Sequence, residues 1–140
     1  MSAASDHMIA EHAVSAWCLR MSDSVKQADI AAHMHNVSRR VKVYGNPSKE
    51  VIEYRDWKAR RQFEFASGET LALNYQKVRL ISSTQRRIRF ATSETTVGKN
   101  GKMLVLNKNI LLELETDGQW RVVEENISDW HIKNLDLSKY

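Results

Sequence analysis

The side chains in this sequence able to move a proton or hold a metal fall into two groups. The first is histidine-rich. His33 and His35 stand two apart in AAHMHNVSRRVKVYGNP (residues 31–47). On a helix, residues at that spacing point to nearly opposite sides, and only in extended chain would they share a face. Spacing places no third ligand near them, and protein metal sites usually need three, so no metal is expected. His7 and Glu11, at i and i+4, read as an exposed helix face. The His-Glu-x-x-His zinc motif, a glycine-rich phosphate loop and a nucleophile elbow are all missing. The second group lies in the β-patterned half: Glu94, Lys108 and Glu124. A lysine and carboxylates partly buried near one another can exchange protons with a bound molecule, because partial burial beside other ionisable groups shifts pKa values toward catalytic use.

Those residues need a scaffold, and the composition allows one. The chain has 140 residues, 42% hydrophobic and 27% charged, which suits one globular domain over 1–140 with loose termini at 1–6 and 134–140. The net charge of +4 comes from basic residues spread between Arg39 and Lys139 rather than massed in a tail, so nucleic acid is not an expected partner. No apolar run is long enough to span a membrane, and the N-terminus lacks a basic segment followed by an apolar one. The single cysteine, Cys18, cannot form an internal disulfide and fits a reducing cytoplasm. Flanked by Ala16, Trp17 and Leu19, it reads as a buried helix thiol.

Ile9, Ala13, Ala16, Trp17 and Met21 recur at helical spacing, and Ser22-Asp23-Ser24 offers caps where that helix can stop and a second begin. The second runs through Val25, Ala28, Ile30, Ala32 and Met34 to about Asn36. Val37, Val41 and Val43 alternate with polar residues as a strand ended by YGNP. A third helix covers Glu53 to Ala66 and closes at SGE (67–69). From Thr70 onward four β-type runs follow, at 70–82, 86–97, 102–115 and 119–132. That order is α+β.

Turn chemistry predicts strand register. KNG (99–101) and TDG (116–118) suit three-residue hairpins with glycine in the left-handed position. They set Ile88 against Leu112, Phe90 against Ile110 and Thr92 against Lys108. They also set Leu112 against Val122, Ile110 against Glu124 and Lys108 against Asn126. A three-residue STQ loop puts Leu80 by Ile88 and Gln76 by Thr92. The apolar residues then share one face, while Arg87, Glu113 and Arg121 form a charge ladder on the other. Midway along the inner face lies a polar row, Gln76, Thr92, Lys108 and Asn126, flanked by Glu94, Glu124 and Ser128. Charges facing a core are costly unless paired or wet, so the row points to a cavity. One β-bulge would instead flip Lys108 and Glu124 to solvent. Leu71, Leu73 and Tyr75 fall on the outer face beside Val97, Met103 and Val105, a patch suited to a homodimer. A bulge near Gln76–Lys77 would return them to the core.

The element order, with VKVYGNP after the second helix, YRDW opening the third and DGQWRVVEENISDW as the last strand, resembles the nuclear transport factor 2-like superfamily. That group includes SnoaL-like cyclases and ketosteroid isomerases. The resemblance spans about Ile9 to Ile132. It implies a cone-shaped, curved antiparallel sheet wrapped around three helices, an open pocket for a small organic ligand, and frequent dimers through the outer sheet face. Ketosteroid isomerases carry a general-base aspartate where Asn46 stands here, and an amide has no usable proton affinity near neutral pH. A dehydratase-like Asp/His pair is not evident, since Asp129 and His131 fall on the outer phase of the last strand. The resulting expectation is a small-molecule-binding pocket protein capable of isomerase, cyclase or dehydratase chemistry without a cofactor. Glu124 or Glu94 would be the acid/base and Lys108 would stabilise negative charge. Gln76, Thr92, Asn126, Trp57, His35 and Tyr44 would contact the ligand. The alternative is a non-catalytic dimeric interaction module.

Overall fold

The computed structural model describes residues 3–134. Helix α1 (Ala3–Lys26) runs straight through Ser22-Asp23-Ser24, where the sequence offers a break. The helix continues because Ser24 is buried and its hydroxyl donates to the Met21 carbonyl at 2.8 Å, spending its capping ability inside the helix. The chain turns two residues beyond Lys26, at Ala28 (φ 52°), and Asp29 caps α2 (Ile30–Met34) by accepting from the Ala32 N–H. Residues 3–6, expected to be loose, belong to α1, and Asn134 belongs to the last strand. The rest of those expected segments, 1–2 and 135–140, lies outside the described residues.

β1 (Val37–Tyr44) leads to a short β2 (Ile52–Glu53), which sequence pattern did not reveal. α3 (Tyr54–Ser67) starts where Asp56 accepts from the Glu53 N–H and stops at Gly68 in the left-handed conformation. Four long strands follow: β3 (Ala72–Ser83), β4 (Arg87–Val97), β5 (Lys102–Leu114) and β6 (Trp120–Asn134). They form one curved sheet of order β2-β1-β6-β5-β4-β3 that does not close. β1 runs parallel to β6, and every other pair is antiparallel, so the sheet is mixed rather than wholly antiparallel.

α1 lays Ala13, Val14, Trp17 and Met21 on the sheet, where they meet Ile88, Phe90, Ile110, Leu112 and Val122. Ile9, at the start of the expected stripe, is exposed, and Ala10 is buried in its place. Two hydrogen bonds pin α1 to the start of β1. Trp17 Nε1 donates to the Asn36 carbonyl at 3.0 Å, and Arg20 Nε donates to Asn36 Oδ1 at 2.7 Å.

The register agrees with the turns where the turns act directly. β4 and β5 pair as expected along their length, Ile88 with Leu112 through Glu94 with Leu106. β5 and β6 agree at Leu114–Trp120 and Leu112–Val122. The register then slips between Leu111 and Leu112 and again between Asn107 and Lys108. As a result Ile110 faces Glu125 rather than Glu124, and Lys108 faces Ile127 rather than Asn126. β3 departs further. Its turn is tighter than a three-residue loop, and two shifts place Leu80 by Phe90 and Gln76 by Ser93. Lys77 (φ 55°) marks one of these irregularities, and through it Leu73 turns inward (1% exposed) and the Tyr75 hydroxyl is buried. The outer apolar patch expected around those two residues is therefore not formed by them. The charge ladder does form: Arg87 Nε lies 3.1 Å from Glu113, and Glu113 sits opposite Arg121.

Candidate functional site

Lys108 on β5 stands between two carboxylates from the neighbouring strands. Its Nζ donates to Glu94 Oε2 on β4 at 2.9 Å and to Glu125 Oε1 on β6 at 2.7 Å. The three side chains are almost wholly removed from solvent, with Lys108 7%, Glu94 2% and Glu125 1% exposed as residues. Glu94 and Glu125 reach Lys108 diagonally, since the residues directly opposite it are Thr92 and Ile127.

Burial lowers the pKa of an ammonium and raises that of a carboxyl, and here the paired charges decide the outcome. Burial pushes Lys108 down, but Glu125 and Glu94 together outweigh it and hold the ammonium above its ordinary value. Burial pushes Glu94 up, yet the charges of Lys108 and Arg61 prevail and hold it below. Glu125 goes the other way: burial raises it, Lys108 offsets only part of that, and repulsion from Glu94 adds to the rise. One carboxylate is thus kept ionised and the other is the easier to protonate.

Glu125 Oε2 is buried and has no hydrogen-bond partner. The Tyr75 hydroxyl is a second such atom. It lies beside Glu94 without meeting hydrogen-bond geometry, and burial followed by the two carboxylate charges raises its pKa well above the ordinary phenol value.

Glu94, Lys108 and Glu125 all line a cavity of about 340 Å³. Val43, Ile52, Leu104, Leu106 and Ile127 supply apolar walls, and α3 contributes Trp57, Arg61 and Glu64. Asn46, Pro47, Arg60 and Trp130 also border it. Pro47, Arg60 and Trp130 are exposed, so the cavity reaches the surface there. Asn46 directs its Oδ1 to the Ser48 N–H at 3.2 Å. Trp57 is fixed from behind: its Nε1 donates to His33 Nε2 at 3.0 Å, and His33 Nδ1 lies 2.9 Å from Ser24 Oγ. An indole N–H can only donate, so Nε2 is the acceptor and Nδ1 carries the proton toward Ser24. Burial, then the charges of Arg61 and Lys108, lowers the His33 pKa to about 3. Among the described residues no group of His, Cys, Asp and Glu is arranged to hold a metal.

The residues anticipated from sequence are distributed as follows. Glu94, Lys108 and Trp57 line the cavity. Glu124 does not: the slip between Leu111 and Leu112 turns it outward, toward Arg89 at 3.6 Å, and brings Glu125 in. Asn126 turns with Glu124 and donates to it at 3.4 Å. Gln76 is exposed, and only its carbonyl takes part, accepting from the Thr92 hydroxyl at 2.7 Å, which leaves Thr92 committed to the backbone. Tyr44 is exposed and lies outside the cavity lining. His35 borders a different cleft, on the far side of α3. Glu125 and Arg61 were not anticipated, and His33, considered only as a metal ligand, serves instead as the buried partner of Trp57. A signal for Glu125 is present in WRVVEEN: two successive valines interrupt the alternation, and both Val122 and Val123 are buried, as a bulge allows.

No family profile matches the chain, and no curated protein matches it in sequence. Solved structures do. LinA superposes with a TM-score of 0.71 at 9% identity, over 94% of this chain and 93% of that one. A candidate scytalone dehydratase from Novosphingobium aromaticivorans gives 0.70 at 8% identity, over 95% of each chain. A nuclear transport factor 2-like protein of unknown function from Shewanella oneidensis gives 0.70 at 11% identity, over 85% of this chain and 98% of that one. The helices, the curved sheet and these superpositions together establish that the chain has the nuclear transport factor 2-like fold.

Proposed function

We propose that this protein binds a small, largely apolar organic molecule in the β4–β5–β6 cavity and moves a proton on a carbon next to its carbonyl group. The observation that carries this reading is Glu125, a cavity-lining carboxyl joined to Lys108 whose Oε2 is buried without a hydrogen-bond partner. Glu125 Oε1 is held by Lys108, whereas Oε2 has no partner and is the oxygen left to act as base once a bound molecule reaches it. Its raised pKa makes it a stronger base than an ordinary carboxylate. Lys108 has three N–H groups, two of which go to the carboxylates, and the third is available to a carbonyl oxygen.

In the step, Glu125 takes the α-proton and the C–H electron pair moves into the carbonyl as an enolate. Lys108 stabilises the oxyanion. Return of the proton to another carbon isomerises the molecule. Delivery of the proton to a β-hydroxyl expels water. The likeness to a candidate scytalone dehydratase is one of fold, and a dehydratase on this fold is compatible with this class of chemistry. Glu94 holds Lys108 charged and oriented rather than reacting.

The test is deuterium uptake from heavy water into a panel of apolar ketones, followed by mass spectrometry. Wild type should label at least one ketone, and Glu125→Gln should lose about a hundredfold or more of that rate. The variant should still quench Trp57 and Trp130 fluorescence on binding the same ketone. Equal labelling by wild type and Glu125→Gln, or none by either, overturns the reading.

A further inference from the structure

α3 is the wall between two clefts. Trp57, Arg61 and Glu64 face the cavity described above, whereas Tyr54, Lys58 and Gln62, at i, i+4 and i+8, face a second cleft of about 500 Å³. Ile30, Ala31 and Met34 of α2 give this cleft an apolar side beside the Tyr54 ring. Arg39 of β1 and Arg121 of β6 also line it, with His35 and Glu115.

The charges around this cleft do not cancel. Arg121 is spoken for: it pairs with Asp117 at 2.8 Å and Glu115 at 3.0 Å and donates to the His35 carbonyl. Glu115 is likewise engaged by Arg40 and Ser38. Arg39 and Lys58, by contrast, have no ion-pair partner among the described residues. Arg39 is also held in place, its guanidinium carbon 5.1 Å from the centre of the Tyr54 ring. A stacked guanidinium retains its N–H groups for an anion in the plane, and Lys58 stands one turn along α3 from that ring.

We propose that this cleft is a second ligand site, for a small organic anion with a carboxylate or phosphate head and a flat apolar body. The head sits between Arg39 and Lys58, and the body lies against Met34, Ile30 and Tyr54. The site is separate from the Glu125 cavity and shares no lining residue with it.

The experiment is titration of the ¹⁵N-labelled protein with benzoate, phenyl phosphate and inorganic phosphate, read by amide chemical shifts. Saturable shifts are expected in α2, at Arg39 and along Tyr54–Gln62 for benzoate or phenyl phosphate. Whichever binds more tightly identifies the head group. Arg39→Glu/Lys58→Glu, with both changes at exposed positions, should weaken binding about tenfold or more. Glu125→Gln should leave it unchanged, so this site stands or falls apart from the proton-transfer proposal. Three results would each overturn it: no saturable shift, shifts centred on Leu106 and Trp130, or inorganic phosphate binding as tightly as phenyl phosphate. The last would mean the apolar side takes no part.

Discussion

Trp57 donates its indole N–H to Nε2 of His33 at 3.0 Å, and that bond joins the wall of the cavity to the core beneath α2. His33 in turn is tied through Nδ1 to Ser24 of α1. Protonating His33 would place a hydrogen on Nε2, against the indole donor, so the fold favours the neutral ring. A folded-state pKa of about 3 against an ordinary 6.5 means the contribution is fully present above pH 6.5 and is lost as pH falls toward 3. His33→Ala should cost about 3 kcal/mol near neutral pH, from the unsatisfied Trp57 N–H and a cavity. Its deficit against wild type in urea denaturation should shrink as the pH is lowered through that window. A constant deficit would contradict the assignment.

Removing Lys108 leaves two buried carboxylates facing each other. Lys108→Met should destabilise the protein by about 3–5 kcal/mol near neutral pH. Without the cation, the folded-state pKa values of both carboxyls rise, so their unfavourable effect grows as pH climbs through those values. Thermal melts should therefore show the variant closer to wild type at about pH 4.5 than at about pH 8. The opposite trend would mean that one carboxylate leaves the cluster.

The two glutamates should differ when each is made neutral. Glu94 is held low, so its anion stabilises the fold above its ordinary value of 4.5, and that contribution fades as pH falls through its lowered pKa. Glu125 is held high, so its favourable contribution lies below 4.5 and is lost as pH rises through its raised pKa. Near neutral pH, Glu94→Gln is expected to cost about 2 kcal/mol or more and Glu125→Gln less than about 1 kcal/mol. Chemical denaturation of both variants in one buffer decides it, and a reversed order would refute the assignment.

Gly45 follows β1 with φ +82°, and a Cβ there would collide with the Ile127 carbonyl oxygen on β6. Gly118 has the same φ, and a Cβ there would meet nothing within 4 Å. Gly118→Ala should cost about 1 kcal/mol from backbone conformation alone. Gly45→Ala adds a backbone collision at the β1–β6 seam and should cost about 3 kcal/mol or more. It should also disturb ligand binding, because Asn46 and Ile127 line the cavity. Equal melting temperatures for the two variants would refute the distinction.

Much of this architecture is legible in the sequence because it is set by neighbours along the chain. The alternation in β4 and β5 and the Gly101 turn between them place Thr92 and Glu94 beside Lys108 without reference to anything distant. The SGE stop gives the end of α3, and YGNP gives the end of β1. The Ser22-Asp23-Ser24 break fails because Ser24 is drawn into a buried contact with His33, a partner on another element that no local pattern announces.

By itself, the sequence determined the order of elements apart from the two-residue β2, the α+β class and the inward face of β4 and β5, since helix caps, turn glycines and two-residue alternation act over a few residues. Tertiary structure alone decided which glutamate of Glu124-Glu125 enters the cavity, and whether Leu73 and Tyr75 lie inside or outside. Those outcomes depend on bulges in β6 and β3, where the sheet curves around α1. One extra residue in a strand reverses the faces of all that follow, and packing against the distant helix and neighbouring strands selects where that residue goes.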